Sequence, residues 1–365
     1  MSVRKLREQL APYRQATLGS ALFRVGVSLG VYVAAFHGAV TSSSLLLRLV
    51  SGLVAGLFSG NLFMIGHDAC HGSYTHHAGW NRVLGRIAFL PSYHPYSVWD
   101  LSHNRTHHIY TNLKGKDFVW TPLSKAEFDA LPRLRRALYR VYRTPLGLAL
   151  YYPLEIWRER LFFPRREHLD RPRRVYTLDC ALVLCAMLAQ LAAVVCLGEA
   201  AAPGRPAWVG WLSGAVFGVV VPWLAFSWLI GFVIYFNHTH PAVTWYDRRD
   251  AWSFARGTVG GTVHLHFPRW TRPFASNIMA HVAHHIDPRV PLVRLKAAQE
   301  RLEEILPGQV IVQAWSVKEL CRILRVCRLY DYDARCWTDY DGTPTSERAR
   351  SRDTDGGEEG RRMAG

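Results

Sequence analysis

The chain has 365 residues, of which 49% are hydrophobic and 13 are Trp, and its formal net charge is +16. Length and composition allow either two or three soluble domains or one polytopic membrane domain, and the apolar content favours the membrane. Seven Cys residues form no CxxC pair and three of them lie in one apolar stretch, which argues against a zinc ribbon and a disulfide framework and fits a reducing compartment.

The N-terminal segment, residues 1–20, begins with 16 mostly basic and polar residues. It contains no apolar h-region followed by a small-residue cleavage site. We therefore expect no cleavable signal peptide and a cytoplasmic N-terminus.

Four apolar stretches follow, at about residues 25–40, 45–66, 175–198 and 207–236. Each is long enough, or nearly so, to cross a hydrocarbon core of about 30 Å. Short turns join the first two and the last two, which predicts four transmembrane helices in two hairpins. The last stretch would be roughly 45 Å long as a helix, so it either tilts, kinks at Pro222, or extends into the cytoplasm.

The region between the hairpins is strongly basic, with 13 Lys and Arg residues from Lys125 to Arg174. By the positive-inside rule, this region and both termini lie in the cytoplasm. Nucleic-acid binding is the weaker explanation of the charge, because no helix-turn-helix, RRM or zinc-finger pattern accompanies it. The aromatic-rich stretch 144–163 is predicted to lie at the membrane interface, and the tail 341–365 is predicted to be disordered.

Histidine is concentrated at the ends of the apolar stretches. Of 17 His residues, 15 fall between positions 67 and 108 or between 238 and 285. The predicted topology places both windows on one face of the membrane, where residues distant in sequence can meet.

The first cluster, His67-Asp-Ala-Cys-His71, places two imidazoles at positions i and i+4 of one helix face, where they can share a metal. The second, His103-Asn-Arg-Thr-His107-His108, repeats this pair. Its additional His points about 100° away and can reach a second metal. The third, His281-Val-Ala-His284-His285, follows the same logic.

A fourth pair, His238 and His240, stands just past the last apolar stretch. Any single His could be a hydrogen-bonded core residue, but three clusters on one face favour ligation. With His238, or His240 as its substitute, they supply about nine imidazoles. This number suits two metals with open positions better than one tetrahedral zinc, and a pair of irons that activates oxygen is the simplest interpretation.

These motifs resemble the three histidine boxes of the membrane fatty-acid desaturase and hydroxylase superfamily, over about residues 61–291. Phe236-Asn-His-Thr-His-Pro241 and His281-Val-Ala-His-His285 are most similar to acyl-lipid desaturases of the Δ12 or ω-6 kind. The resemblance implies an all-α integral-membrane domain, residues 21–340, whose cytoplasmic helical cap carries a di-iron site. The implied ligands are His67, His71, His103, His107, His108, His238, His281, His284 and His285.

The same resemblance implies a reaction that inserts a cis double bond into a lipid acyl chain with O2 and external electrons. The second box departs from the plant Δ12 pattern, having three residues between His103 and His107 where two are common, so the position of the double bond stays open. A fused cytochrome b5 is not expected, because the chain has no His-Pro-Gly-Gly motif. The basic surface would suit a separate ferredoxin or cytochrome b5, although topology alone also explains it.

Residues flanking the boxes are candidates for supporting roles. Tyr93, Trp99 and Trp120 would line an acyl tunnel or belong to the interfacial aromatic belt. Asp68, Asp117 and Asp287 would accept hydrogen bonds from ligand imidazoles or be solvated.

Three alternatives stay open at this stage. One is a hydroxylase, or a lipid, alkane or carotenoid oxygenase of the same superfamily. Another is a non-enzymatic membrane metal or haem electron-transfer protein, although such proteins usually place His within their spans. A purely structural membrane protein would not need the clusters. The preference for Arg over Lys, 38 to 6, indicates a GC-rich bacterial genome and hence the bacterial inner membrane.

Overall fold

The computed structural model describes residues 1–162, 164–170 and 174–349. The first part of the chain has two consecutive long apolar helices among several shorter ones, and a π-helical turn, His103–His107, follows the fifth helix. These helices are α1 (Val3–Leu10), α2 (Leu18–Thr41), α3 (Leu45–Cys70), α4 (Ala78–Phe89), α5 (Tyr96–Ser102), α6 (Lys125–Ala130), α7 (Arg133–Tyr142) and α8 (Leu148–Tyr151).

A π-helical segment, Tyr152–Phe162, continues α8, and another, Val216–Val220, joins α10 to α11. The remaining helices are α9 (Arg174–Ala200), α10 (Ala207–Ala215), α11 (Val221–His238), α12 (Phe254–Val259), α13 (Arg272–Ala275), α14 (His281–Ile286), α15 (Leu292–Ile305) and α16 (Val317–Val326). The strands are β1 (Val263–His266), β2 (Ile311–Ala314), β3 (Leu329–Asp331) and β4 (Cys336–Thr338).

Four helices are long and apolar enough to cross a membrane: α2, α3, α9 and the continuous helix Ala207–His238. Each of the four predicted apolar spans lies within one of them, so the prediction of four such helices is confirmed. Large apolar side chains on these helices, such as Leu45, Leu178 and Trp208, face outward. Lipid contact would account for this exposure, since soluble helices bury such a face.

The last long helix contains Pro222 without ending there. Proline has no N–H, so it cannot donate to the carbonyl one turn earlier, at Gly218. The side chain of Gln190 on α9 donates to that carbonyl at 3.2 Å, and the π-helical turn Val216–Val220 lies immediately before the proline. The helix is therefore continuous to His238, and its last turn carries that imidazole beyond the apolar stretch.

Glycines on one face of α3 allow it to pack tightly against the last long helix. Gly52, Gly56 and Gly60 are spaced four residues apart, and a Cβ atom at each would lie 2.5–2.6 Å from an atom of that helix. Small residues at this spacing allow helix backbones to approach closely in membranes. The close approach fixes the position of α3, whose end carries His67.

We expect Gly56→Val to destabilise the protein by about 1–3 kcal/mol, because the added carbons would overlap the Pro222 carbonyl and the Ala225 side chain. The matched control is Gly30→Val on α2, where a Cβ meets no atom within 4 Å. Thermal unfolding in detergent, followed by Trp fluorescence, measures both variants. Equal midpoints for the two would contradict the proposed close packing.

A buried carboxylate on α9 forms an ion pair with α4 and a hydrogen bond to α5, which precedes the second histidine cluster. Asp179 accepts from Arg86 Nε at 2.7 Å and from the backbone N–H of Ser97 at 2.9 Å. The carboxylate is nearly fully buried, and these donors offset the cost of removing it from water. This contact holds α5, and hence the following π-helical turn, against α9.

The part of the protein beyond the long helices is mostly helical, but it also contains two small sheets. β1 and β2 pair in parallel, and β3 and β4 pair antiparallel. The expectation of an all-α domain is corrected here: these strands have only three or four residues and were too short for the apolar pattern to reveal. The N-terminal helix α1 packs on α14, where Arg7 Nε donates to the Ile286 carbonyl at 2.7 Å.

The predicted disordered tail, 341–365, lies outside the described residues from position 350 onward. In its described part, the Thr345 N–H donates to the Trp337 carbonyl and the Ala349 N–H to the Arg335 carbonyl, both at 2.8 Å. These bonds hold residues 341–349 against the β3–β4 hairpin.

Candidate metal centre

The three histidine clusters and His238 converge at the end of the long helices. His67 is in the last turn of α3 and His71 follows it, while His238 ends α11. The second cluster forms the π-helical turn after α5, and the third forms the short helix α14. All nine predicted ligands are brought together, although the sequence separates the first from the last by more than 200 residues.

The nine imidazoles form two groups in which one ring nitrogen from each residue lies within 4.8 Å of the others. The first group is His67, His71, His103, His108 and His284. The second group is His107, His238, His281 and His285. Adjacent histidines of the second and third clusters are divided between the groups, as expected for neighbours that point in different directions along a helix.

The second cluster differs from its prediction in one respect. His103 and His107 were expected to share a metal as an i, i+4 pair, but the structure groups His103 with His108. The reason is the π-helical turn, in which the His108 N–H bonds the His103 carbonyl at 3.0 Å. This i→i+5 hydrogen bond brings positions 103 and 108 together, and the His103 and His108 Nε2 atoms lie 3.0 Å apart.

Hydrogen bonds on the outer side of the second group fix which nitrogens face inward. His281 Nδ1 lies 3.1 Å from the Ile278 carbonyl, which can only accept, so this nitrogen carries the proton. The Thr111 hydroxyl donates to the His107 carbonyl and must therefore accept from His285 Nδ1, 3.0 Å away. In both neutral rings, Nε2 is left unprotonated and faces the group.

The inward nitrogens of this group are close enough to share an ion. His281 Nε2 lies 3.0 Å from His285 Nε2 and 3.0 Å from His238 Nε2. Two unprotonated nitrogens at this distance repel each other unless a cation lies between them. Nitrogens bound at about 2.1 Å and at right angles to one ion would be roughly 3.0 Å apart, so the residues fit a metal ion.

The first group points to the same conclusion through buried nitrogens that lack partners. Among the described residues, both ring nitrogens of His284 are buried without a hydrogen bond, as are His67 Nδ1, His71 Nε2 and His108 Nδ1. A buried polar atom without a partner costs about 1–3 kcal/mol. Metal coordination would satisfy one nitrogen of each ring.

Burial also keeps these imidazoles neutral, as metal ligation requires. Removal from water, followed by repulsion from neighbouring imidazoles, holds the pKa well below its ordinary value at several ligand positions. These are His71, His103, His108, His284 and His285.

His240, the substitute considered for His238, lies outside both groups. Its Nε2 is 3.2 Å from Gln313 Oε1, and its Nδ1 accepts from the Ala242 N–H at 3.1 Å. A third possible group, His264, His266 and Glu303, is separate. There His264 Nδ1 already has a partner, Glu303 Oε1 at 2.5 Å.

The three carboxylates named from sequence have different contacts. Asp117 Oδ1 accepts from His107 Nδ1 at 2.9 Å, which orients that ring. Asp68 accepts instead from the Leu292 N–H at 2.9 Å, and Asp287 pairs with Arg14 at 2.6 Å. All three are buried, so surface solvation is wrong for each. Only Asp117 accepts a hydrogen bond from an imidazole.

Thr111 was missed by the sequence analysis, although it positions His285. No spacing rule could have found it, since 174 residues separate the two.

Imidazoles of both groups form part of the lining of one apolar cavity. They are His67 and His103 of the first group and His107, His238 and His281 of the second. The walls are apolar side chains of α11, the Tyr152–Phe162 segment and the stretch after the second cluster, including Ile156, Leu161, Ile230, Val233, Ile234, Phe118 and Val119.

Of the three aromatics named from sequence, Trp99 lines this cavity and stacks on His103 with ring centroids 4.1 Å apart. Trp120 lies outside the lining and stacks on Tyr151 at 3.7 Å. The Tyr93 hydroxyl donates to Gln190 Oε1 at 2.7 Å and does not reach the cavity.

His94 supports the cavity wall without belonging to either group. Its Nε2 lies 2.7 Å from the hydroxyl of Tyr152, a lining residue, and its Nδ1 lies 3.0 Å from Ser92 Oγ. Burial lowers the pKa of His94 from its ordinary 6.5 to about 3, so the ring is neutral in the folded protein.

The depressed pKa of His94 predicts a pH-dependent loss of stability. As the pH falls through about 6.5, the His94 imidazole binds a proton in the unfolded chain but stays neutral in the folded protein. The contribution of neutral His94 to the free energy of unfolding is therefore fully present above this pH and is lost progressively as the pH falls toward 3. Between pH 6 and 5 the wild type should lose about 1.4 kcal/mol more than His94→Gln, as measured by chemical unfolding in detergent. Equal changes in the free energy of unfolding with pH for the wild type and His94→Gln would contradict this prediction.

The chain is similar to characterised sequences over most of its length. It is 30% identical over 274 residues to the sn-1 oleoyl-lipid 12-desaturase of Synechocystis sp., covering 74% of this chain and 72% of that protein. It is 28% identical over 293 residues to a fatty acid desaturase of Bacillus subtilis, covering 80% and 76%.

The chloroplastic omega-6 fatty acid desaturase of Glycine max is 29% identical over 273 residues, which cover 74% of this chain and 59% of that protein. The chain thus spans under two thirds of this plant relative. The sequence profile described as "Fatty acid desaturase" matches residues 43–316. With three histidine clusters, four long apolar helices and this match in agreement, the chain belongs to the fatty acid desaturase family.

Proposed function

We propose that this protein is a membrane-bound, O2-dependent oxidoreductase that introduces a cis double bond into the acyl chain of a lipid. The observation that carries the proposal is the apolar cavity whose lining includes imidazoles of both groups. An acyl chain has no polar handle at its mid-chain carbons, so the walls must position it by shape alone. The relatives named oleoyl-lipid 12-desaturases support a mono-unsaturated, lipid-linked acyl chain as the substrate.

We assign the metal ions as two irons, one held by each imidazole group, with His238 rather than His240 as the ninth ligand. Neutral imidazole is a good ligand for iron, and an incomplete ligand shell leaves positions open for O2. The bound irons would supply the oxidising power needed to remove hydrogen from an unactivated methylene.

Other residues of the chain orient the ligand imidazoles and exclude water from the site. Asp117 and Thr111 accept hydrogen bonds from outward ring nitrogens and fix the orientation of His107 and His285. Trp99 stacks on His103 and closes the cavity beside it. The apolar walls exclude water from the proposed acyl site.

For the topology, we propose two hairpins, α2–α3 and α9 with Ala207–His238, with the metal centre and both termini in the cytoplasm. The basic residues between α6 and α9 support this orientation through the positive-inside rule. The bacterial inner membrane is the proposed location. A separate acidic carrier, a ferredoxin or a cytochrome b5 type protein, would deliver electrons to this basic side.

The test is expression in a bacterial host that makes mono-unsaturated lipids, with lipid profiling by mass spectrometry and localisation of double bonds. We expect a new acyl chain lacking two hydrogens relative to its precursor, and its absence with His107→Ala. A product that gains one oxygen would reassign the protein as a hydroxylase. Iron-loaded, well-folded protein with no new lipid would overturn the enzymatic assignment for acyl lipids.

A further inference from the structure

A second pocket, which shares no lining residue with the cavity, lies between α7, the turn after it, and α16. Four arginines line it, Arg140, Arg143, Arg325 and Arg328, and we call it the arginine pocket. Its other lining residues are Thr144, Pro145, Cys321, Leu324 and Tyr340. The lining contains no carboxylate, so four positive charges converge on one concavity.

The guanidinium groups of the pocket lack acidic partners. Among the described residues none of the four forms an ion pair with Asp or Glu, whereas nearby arginines do: Arg135 on α7 pairs with Glu155 at 3.0 Å and Arg322 on α16 pairs with Glu319 at 2.7 Å. Arg140 and Arg328 instead lie over the Tyr340 ring, 5.0 and 5.1 Å from its centroid.

Arg143 is the deepest of the four. It is only 6% exposed, and its Nη2 donates to the Tyr139 hydroxyl at 2.6 Å. Its Nε and Nη1 are buried with no hydrogen-bond partner among the described residues. Burying a cation is costly. The rings of Trp120, Tyr139 and Tyr235, with centroids 4.8–5.6 Å from the guanidinium carbon, offset part of this cost, and an anion in the pocket would offset more of it.

Neighbouring contacts place the pocket near the membrane surface. Trp228, on the membrane-spanning part of α11, donates from Nε1 to the carbonyl of Pro145 at 2.8 Å. Leu146 beside it is 83% exposed and Leu134 on α7 is 80% exposed. Exposed leucines among arginines are typical of a segment that lies in the headgroup layer.

The pocket also lies close behind the wall of the acyl cavity. The Arg143 guanidinium is 4.9 Å from the ring centroid of Trp120 and 5.6 Å from that of Tyr235. Their chain neighbours Val119 and Ile234 line the cavity. A layer of aromatic side chains thus separates the four arginines from the proposed acyl site.

We propose that the arginine pocket binds the phosphate of a membrane phospholipid and anchors its headgroup beside the acyl cavity. Guanidinium groups bind phosphate through paired, charge-assisted hydrogen bonds. The inference rests on the proposed function only for the role of this lipid as the substrate. Phospholipid binding itself does not require turnover.

A phospholipid fits the site better than the other phosphate carriers or an acidic protein. A soluble acyl thioester would bring a nucleotide phosphate from the aqueous side. In this protein the exposed Leu146 follows the lining residue Pro145 in the chain, and Pro145 contacts Trp228 of a long apolar helix. An acidic protein would bind arginines that project from the surface, but the deepest arginine of this pocket, Arg143, is buried. The proposed ligand is therefore a phosphodiester at the membrane surface.

The test uses detergent-purified full-length wild-type protein without an electron donor, so that binding is measured without turnover. Native mass spectrometry would compare retention of phosphatidylglycerol with that of a galactolipid bearing the same acyl chains and no phosphate. The pocket variant is Arg140→Gln with Arg325→Gln, which spares the packed Arg143. The matched control is Arg133→Gln with Arg136→Gln, which removes the same charge from α7 outside the pocket.

We expect phosphatidylglycerol to be retained and the galactolipid not, with retention about tenfold or more weaker in the pocket variant and unchanged in the control. Equal losses in the two variants would overturn the proposal in favour of general surface charge. Displacement of the lipid by micromolar coenzyme A, or by an acidic carrier protein, would overturn the phospholipid assignment. Failure of the lipid-profiling experiment would leave this measurement intact, so the two hypotheses fail separately.

Discussion

His284→Ala should reduce formation of the new lipid product at least about 100-fold and release bound iron. His284 is fully buried, and both its ring nitrogens lack hydrogen-bond partners. Alanine would remove one imidazole of the first group and leave a cavity beside His67 and His108. Because loss of even an indirect supporting contact costs about 10–100-fold in metal affinity or activity, loss of a direct ligand should cost more. Iron per protein and lipid product measure the two effects.

The matched control is His76→Ala, which changes an exposed histidine in the same part of the sequence but outside both groups. This variant should keep wild-type iron content and activity. If His284→Ala retained two irons per chain, the assignment of the first group as a metal site would be wrong. If it lost iron but kept full activity, the link between metal and reaction would be wrong.

Asp117→Asn should weaken metal binding about 10–100-fold with little change in shape. Oδ1 accepts from His107 Nδ1 at 2.9 Å and from the Val119 N–H at 3.0 Å, and Oδ2 accepts from the Asn112 N–H at 2.8 Å. An amide offers one oxygen and one NH2 group, so one of these donors would face another donor. Competition with a chromogenic chelator would measure the change in affinity.

Asp129→Asn provides the matched control, because Asp129 is exposed and, among the described residues, forms an ion pair with Lys125 alone, on the surface of α6. It should bind metal as the wild type does. An Asp117→Asn variant with unchanged metal affinity would show that the carboxylate supports the loop and does not tune His107. A variant that is unfolded by near-ultraviolet circular dichroism would be replaced by Asp117→Glu, which keeps the charge and should restore part of the affinity.

The sequence was sufficient for the features that depend on local pattern. Length and apolar content gave the four long helices, and the i, i+4 spacing correctly paired His67 with His71 and His281 with His285. It failed at the second cluster, because a π-helical turn has no distinct composition. The i+5 alignment of His103 and His108 follows from a backbone hydrogen bond that spacing rules for an α-helix do not anticipate.

Features that depend on tertiary contacts were beyond sequence reasoning. Pro222 was recognised as a potential kink, but the Gln190 side chain that compensates for its missing N–H lies on another helix. Whether His238 or His240 lies in the second group was likewise open from sequence and depends on where α11 ends. Even β1, whose Val-His-Leu-His pattern alternates as a strand should, needed its partner β2 to become recognisable.

The division of the nine histidines between two groups has a consequence for biosynthesis. Each group draws on early and late parts of the chain: α14 supplies His284 to the first and His281 and His285 to the second. Neither set is complete until residue 285 has left the ribosome, by which time all four long helices have been synthesised. A metal ion would therefore be captured only after all four long helices have been synthesised, and a chain truncated before α14 would lack the residues that complete either group.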